Sequence, residues 1–272
     1  MDTPTSQNDE VVLVTGACQR DGIGFAIGEE LFSRGYKVVL TDLPADGETL
    51  SESQAEVAKT LDPSGQRTMA LPLDVSSEES VRLCFAKVRK AWGSVSILVN
   101  NAGVAIGSAN FQDNSDEEWS LTLAVNVEGT ARVSRHFLSQ CTEKQEAIVN
   151  VSSLSGLGAI ESIPAPYTSS KFAVIGLTKA IALEYANRGV RCNAVCPGVV
   201  ETAMRQTSLE LISQSEGIST DEARAYEDSL VPMNRPASPS EVAKLVAFLA
   251  SEDASYITGA ALPVSGGLPQ GL

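Results

Sequence analysis

Val11-Val12-Leu13-Val14-Thr15-Gly16-Ala17-Cys18-Gln19-Arg20-Asp21-Gly22-Ile23-Gly24 is the stretch from which the fold can be read. Its first five residues are apolar or β-branched, the composition of a strand buried on both faces. A turn with glycines at 16, 22 and 24 follows at once, and from Ile23 to Arg34 the apolar spacing is helical. A strand that enters a helix through such a turn brings backbone N–H groups and the positive helix end to one point, where a pyrophosphate can be held. The same glycines would serve a plain strand-to-helix connection. What surrounds the turn decides between the two.

Working outward, short apolar runs alternate with longer helical patterns. Strands are expected at Val11–Thr15, Lys37–Asp42, Arg67–Leu73, Ser96–Val99, Ala147–Ser152, Val190–Val195 and Ala260–Val264. Helices are expected at Ile23–Arg34, Thr49–Leu61, Glu78–Trp92, Glu117–Cys141, Pro166–Arg188 and Ser240–Ala250. Repetition of β-α-β predicts an α/β fold: one doubly wound parallel sheet of about seven strands, flanked by helices on both faces. No second-domain boundary interrupts residues 11–272, which are expected to form a single dinucleotide-binding and catalytic domain. Residues 1–10 are polar and acidic, an N-terminal tail. Residues 201–235 are long, mostly polar and helix-like, and break the alternation late in the chain, as a substrate lid would.

The formal net charge of −14 argues against a nucleic-acid partner, because phosphate binding needs a surplus of Lys and Arg. No run reaches the ~20 apolar residues needed to span a bilayer, and the start has neither the basic nor the apolar region of a secretory signal. Five cysteines without a CxxC pair match free thiols of a reducing compartment, so the expected location is cytoplasmic. No His or Cys pair has metal-ligand spacing, and no metal is expected. His136 is the single histidine, on a long helical pattern, which makes a Ser-His-Asp hydrolase a poor reading.

Several residues stand where open parallel sheets bind ligands, at the carboxyl ends of strands. Asp42 closes the second strand, 18 residues after Gly24, near the ~20-residue offset of an acid that hydrogen-bonds an adenosine ribose. Its carboxylate would repel a 2′-phosphate and favour NAD over NADP, although Arg20 in the turn pulls the other way. Asp74-Val75 follow the third strand, Asn100-Asn101-Ala102-Gly103 the fourth, and Ser152-Ser153 the fifth. Tyr167 and Lys171 are four apart at the start of a helix and so share a face. An ammonium beside a phenol favours the ionised form and lowers its pKa, which turns the phenol into a usable base.

Taken together these pieces resemble the short-chain dehydrogenase/reductase family, with its Rossmann fold, from about Val11 to Gly267. The likeness rests on Thr15–Gly24, Asp42, Asp74-Val75, Asn100–Gly103, Asn126, Ser153, Tyr167-Thr168-Ser169-Ser170-Lys171, and Pro197-Gly198 followed by Thr202. It implies an oxidoreductase that moves hydride between a nicotinamide cofactor and a secondary alcohol or ketone. In that pattern Tyr167 is the general acid/base, Ser153 orients the substrate oxygen, Lys171 binds the nicotinamide ribose and tunes Tyr167, and Asn126 supports a water in the proton relay. Cofactor contacts would come from Gly16, Gly22, Ile23, Gly24, Asp42, Asp74, Val75, Asn101, Ala102, Gly103, Tyr167, Lys171, Pro197, Gly198, Val200 and Thr202. The likeness further implies a homotetramer.

Three departures stand out. Gly16 and Gly22 are six apart where the family usually has four, so the phosphate loop is longer. Ser153 and Tyr167 are one residue further apart than usual, which leaves Ser152 and Ser155 as alternative hydroxyls. Ser265 precedes Gly266-Gly267 where an Asp is usual. Two other readings stay open: a non-redox enzyme on the same scaffold, as in the halohydrin dehalogenases, and a dinucleotide-binding regulator without turnover. Met204, Leu209, Leu211 and Met233, in or beside the lid, are candidates for an apolar substrate pocket.

Overall fold

The computed structural model describes residues 10–44, 49–141 and 145–269; the expected tail, apart from Glu10, and the chain end at 270–272 lie outside the described residues. Seven strands form one sheet: Val11–Val14 (β1), Lys37–Asp42 (β2), Thr68–Pro72 (β3), Ile97–Asn100 (β4), Glu146–Val151 (β5), Val190–Pro197 (β6) and Ala261–Val264 (β7). Their order is β3-β2-β1-β4-β5-β6-β7, with every pair parallel. All seven expected strands form, with ends displaced by no more than two residues. The helices are Ile23–Ser33 (α1), Glu52–Leu61 (α2), Glu78–Trp92 (α3), Asp116–Leu123 (α4), Thr130–Leu138 (α5), Ala165–Tyr185 (α6), Ala203–Glu216 (α7), Thr220–Leu230 (α8) and Pro239–Ala250 (α9).

The alternation of side chains along a strand builds a core on each face of the sheet. From β1, Val12 and Val14 pack with Phe25, Ile27 and Leu31 of α1 and Val242 and Val246 of α9. Val11 and Leu13 instead meet Val81, Phe85 and Val88 of α3 and Val133 and Phe137 of α5. The strand order reverses between β1 and β4, so the crevice at their carboxyl ends is the place for a ligand.

Three features add to the expected pattern. Helix α2 begins at Glu52 rather than Thr49, because Ser51 forms a capping box: its Oγ accepts from Gln54 N at 3.3 Å and its N–H donates to Gln54 Oε1 at 3.0 Å. The single helix expected over Glu117–Cys141 is divided, with the π-helical turn Ala124–Gly129 separating α4 from α5. Tertiary bonds of Asn126, given below, hold that turn open, and π turns often mark functional sites. The polar segment 201–235 forms α7 and α8 above a narrow neck, where Val200 bridges Ala237, Glu201 N donates to Ala237 O at 2.9 Å and Ala237 N to Val199 O at 2.9 Å.

Arg205 joins the two helices of this segment. Its side chain is 4 % exposed and its guanidinium meets Glu201, Glu227 and Asp228, while Arg224 also holds Glu201. Leu209 is fully buried, which removes it from any pocket lining, whereas Met204, Leu211 and Met233 are exposed. Among the described residues no helix is long and apolar enough to cross a membrane.

Candidate active site

The carboxyl end of β1 is bound tightly to that of β4. Asn101 N and Ala102 N donate to Thr15 Oγ1 at 3.0 and 2.9 Å, and Asn101 Nδ2 donates to the carbonyls of Thr15 and Gly16 at 2.9 and 2.8 Å. Gly16 turns there with φ +63°, and a β-carbon on it would lie 2.9 Å from Ala102 Cα, so this turn admits only glycine without strain. Gly22 precedes Ile23 and Gly24 at the start of α1 with no side-chain cap, leaving first-turn N–H groups for the phosphates of a ligand. The lengthened loop between Gly16 and Gly22 is stitched to β2: Ala17 N donates to Thr41 O at 2.8 Å and Cys18 N to Asp42 Oδ2 at 2.9 Å.

Asp42 is thus partly committed to the protein, since Leu43 N also donates to its Oδ1 at 2.9 Å. Among the described residues each oxygen accepts one hydrogen bond, which leaves a lone pair for a ligand hydroxyl. Beyond it, an open basin of about 460 Å³ is lined by Cys18, Gln19, Arg20, Ser51, Ser53 and Gln54. Arg20 leans across it, donating from Nη2 to Thr60 Oγ1 at 2.9 Å. On β3's side, Asp74 Oδ1 accepts from Ser76 N at 2.8 Å, and Val75 is buried.

Tyr167 and Lys171 share the first turns of α6, as expected. Lys171 Nζ lies 5.4 Å from the centre of the Tyr167 ring and donates to Val151 O at 3.1 Å. A β-carbon on Gly103 would lie 3.4 Å from Lys171 Nζ and 3.2 Å from Asn126 Oδ1, so β4's loop, the π turn and α6 converge on one spot. Asn126 is clamped there: its Oδ1 accepts from Val104 N at 2.8 Å, and its Nδ2 donates to Val104 O at 2.8 Å and Ser170 Oγ at 2.9 Å. Ser170, which carried no role in the sequence pattern beyond its place in the motif, links that amide to α6 and donates to Tyr167 O at 2.7 Å.

The three serines after β5 separate cleanly. Ser152 Oγ donates to Lys171 O at 2.9 Å and Ser155 is buried, whereas Ser153, whose Oγ accepts from Ser155 N at 3.1 Å, lies near enough to the Tyr167 phenol to act on its pKa. Burial pushes the Tyr167 phenol above its ordinary pKa, and the Ser153 hydroxyl opposes the rise. The lowering expected from Lys171 does not accompany it: the phenol is raised by burial, and the opposing influence is Ser153. Burial lowers the Lys171 ammonium to about 8.

The remaining expected contacts lie on β6 and its exit. Gly198 N, after Pro197, donates to Val264 O at 2.9 Å, and Val200 is buried at the neck. Thr202 caps α7, its Oγ1 accepting from Arg205 N at 3.3 Å.

The sequence model of a family described as Enoyl-(Acyl carrier protein) reductase matches residues 16–269, nearly the whole chain. The chain belongs to the short-chain dehydrogenase/reductase family. This short-chain dehydrogenase/reductase is 34% identical over 261 residues to the oxidoreductase UcpA of Salmonella typhimurium, covering 95% of this chain and 94% of that one. It is 37% identical over 266 residues to a putative ketoacyl reductase of Streptomyces coelicolor, covering 97% and 98%. Among solved structures it superposes on a single-substitution variant of actinorhodin polyketide ketoreductase with NADPH at a TM-score of 0.87 and 35% identity, covering 97% of this chain and 99% of that one. The molecule is therefore an oxidoreductase of this family, whose members bind a nicotinamide cofactor.

Proposed function

We propose that this enzyme interconverts a secondary alcohol and a ketone with NAD(H), using Tyr167 as the general acid/base. The observation that carries the reading is Lys171 Nζ standing 5.4 Å from the centre of the Tyr167 ring, at the carboxyl end of the strand that leads into Ser153. When bound, the nicotinamide dinucleotide supplies or accepts the hydride. In reduction the Tyr167 hydroxyl gives its proton to the substrate oxygen, and in oxidation the phenolate takes it from the alcohol. Ser153 Oγ donates a hydrogen bond to that oxygen and fixes its distance from Tyr167. Lys171 holds the nicotinamide ribose and, through its charge, favours the phenolate. Asn126, immobilised by Val104 and Ser170, orders the far end of the proton path.

Gly16, Gly22, Ile23 and Gly24 hold the pyrophosphate, Asp42 the adenosine ribose, Asp74 and Val75 the adenine, and Asn101, Ala102, Gly103, Pro197, Gly198, Val200 and Thr202 the nicotinamide side. A carboxylate at Asp42 favours NAD, and the Arg20 contact with Thr60 draws the competing guanidinium toward α2. Residues 201–235 form the lid of a single catalytic domain. The exposed Leu121 of α4 and Phe172 and Leu183 of α6 support self-association of these helices in a cytoplasmic homotetramer.

The test is a screen of alcohols and ketones with NAD(H) and NADP(H), comparing the wild type with Tyr167→Phe. Turnover with NAD(H), lost in the variant, is expected. Dinucleotide binding without turnover on any substrate would favour a regulatory protein, and no dinucleotide binding would favour non-redox chemistry on the same scaffold.

A further inference from the structure

Arg132, in the first turn of α5, does something unusual for a charged residue on an amphipathic helix. Its side chain is 15 % exposed, and Nη1 donates to the main-chain carbonyl of Val75 at 2.7 Å. Its other contacts are wider and more exposed: Nε lies 3.5 Å from Glu78 Oε2 and Nη2 lies 3.8 Å from Glu128 Oε2. Glu78 and Glu128 are 61% and 67% exposed, so those pairs contribute little beyond aiming the guanidinium. The short charge-assisted bond to Val75 is the strong one.

Val75 is gripped from a second side by the same segment. A β-carbon on Gly129 would lie 2.7 Å from Val75 Cγ2 and 3.3 Å from Val75 O, so the loop after β3 rests directly on the backbone of the π turn. Within that loop, Asp74 N donates to Ser80 Oγ at 2.9 Å and Ser77 N to Asp74 O at 3.1 Å, bonds that secure it to α3. Arg132 and Gly129 secure it to α5. Three residues before Gly129, Asn126 holds Val104 and Ser170 on the chemical side.

We propose that Arg132 is a positioning residue for the cofactor: by holding the Val75 carbonyl it sets the Asp74-Val75 platform against which the adenine packs. The inference rests on the assignment of Asp74 and Val75 to the adenine site under the proposed function. It places no demand on the hydride or proton steps, which occur at the other end of the dinucleotide.

The experiment uses the full-length enzyme with ADP-ribose, which carries the adenine end without nicotinamide, and with NADH and reduced nicotinamide mononucleotide as cofactors. For Arg132→Met, ADP-ribose and NADH should bind about tenfold more weakly, because the platform freed from Arg132 must be re-ordered each time the adenine binds. The kcat at saturating NADH should stay within about twofold, as should turnover with the mononucleotide, which has no adenine to misplace. Arg132→Lys should recover part of the ADP-ribose affinity, and Gly129→Ala, which pushes Val75 from its other side, should weaken it as well. Wild-type ADP-ribose affinity in both Arg132→Met and Gly129→Ala would overturn the positioning role alone. Parallel losses with NADH and the mononucleotide would overturn it in favour of general loosening. A wild-type protein that binds neither NADH nor ADP-ribose would overturn the proposed function, and this inference with it.

Discussion

Lys171 holds its ammonium 5.4 Å from the centre of the Tyr167 ring while donating to the Val151 carbonyl at 3.1 Å, so its position is fixed by the sheet rather than by the phenol beside it. The two groups respond oppositely to burial, which raises the Tyr167 pKa and lowers that of Lys171 to about 8. A raised phenol stays protonated through neutral pH. Under the proposed mechanism, reduction, which consumes the protonated form, should therefore be level around neutrality, while oxidation, which needs the phenolate, should still be climbing past the ordinary phenol value of about 10. Profiles of kcat/KM in both directions test this, and an oxidation rate that falls from neutral to alkaline pH would refute it.

Tyr167→Phe should lower kcat by about two to four orders of magnitude, the usual worth of a positioned proton donor, with cofactor affinity largely kept because the ring remains. Stopped-flow or steady-state turnover paired with NADH titration gives both numbers.

The serines after β5 offer an internal control. Ser153→Ala should depress turnover, whereas Ser152→Ala should act on stability, by about 1 kcal/mol, since its hydroxyl bonds the Lys171 carbonyl. Equal turnover in Ser153→Ala and wild type would return the catalytic hydroxyl to Ser152 or Ser155.

Asp42→Ala should bring the kcat/KM values for NAD and NADP closer together, because a carboxylate that repels a 2′-phosphate is gone. The loop between Gly16 and Gly22 also loses its anchor at Cys18 N, so affinity for both cofactors should fall. An unaltered NAD:NADP ratio counts against the assignment.

Arg205→Met leaves Glu201, Glu227 and Asp228 facing one another without their shared cation. Breaking a buried pair costs ~3–5 kcal/mol, and the partial exposure of these carboxylates reduces that to about 2 kcal/mol. Thermal unfolding should show a lower midpoint, and KM for substrate should rise as α7 and α8 separate. A midpoint within a degree of wild type would mean that the network contributes no net stability.

The sheet was open to inspection in the sequence because its strands are runs such as Val11–Val14 and Val38–Leu40, apolar enough to require cover on both faces, separated by helical spacing. The break in the helix after Leu123 was not. Ala124-Val125-Asn126-Val127-Glu128 contains no glycine or proline before the closing Gly129, and what opens the helix is a set of bonds from Asn126 to residues 22 and 44 positions away. The juxtaposition of Tyr167 and Lys171 was legible because a helix fixes their spacing, whereas the commitment of the Ser152 hydroxyl to a distant helix carbonyl was not. The contacts of Arg132 and Arg205 leave no local signal for a related reason. A charged residue on a helix usually points to solvent, and nothing local signals that its partner is a loop carbonyl or three carboxylates from elsewhere.

The π turn at Ala124–Gly129 fixes the rotational phase between α4 and α5. Each residue of an ordinary helix advances the chain by ~100°, so one residue deleted from this turn would swing all of α5 about its axis relative to α4. Arg132 and Gly129 would then leave Val75 even if Asn126 kept its partners. Substitutions here can be absorbed side chain by side chain, but a change in length cannot: in this stretch the number of residues is itself under constraint, whatever their identity.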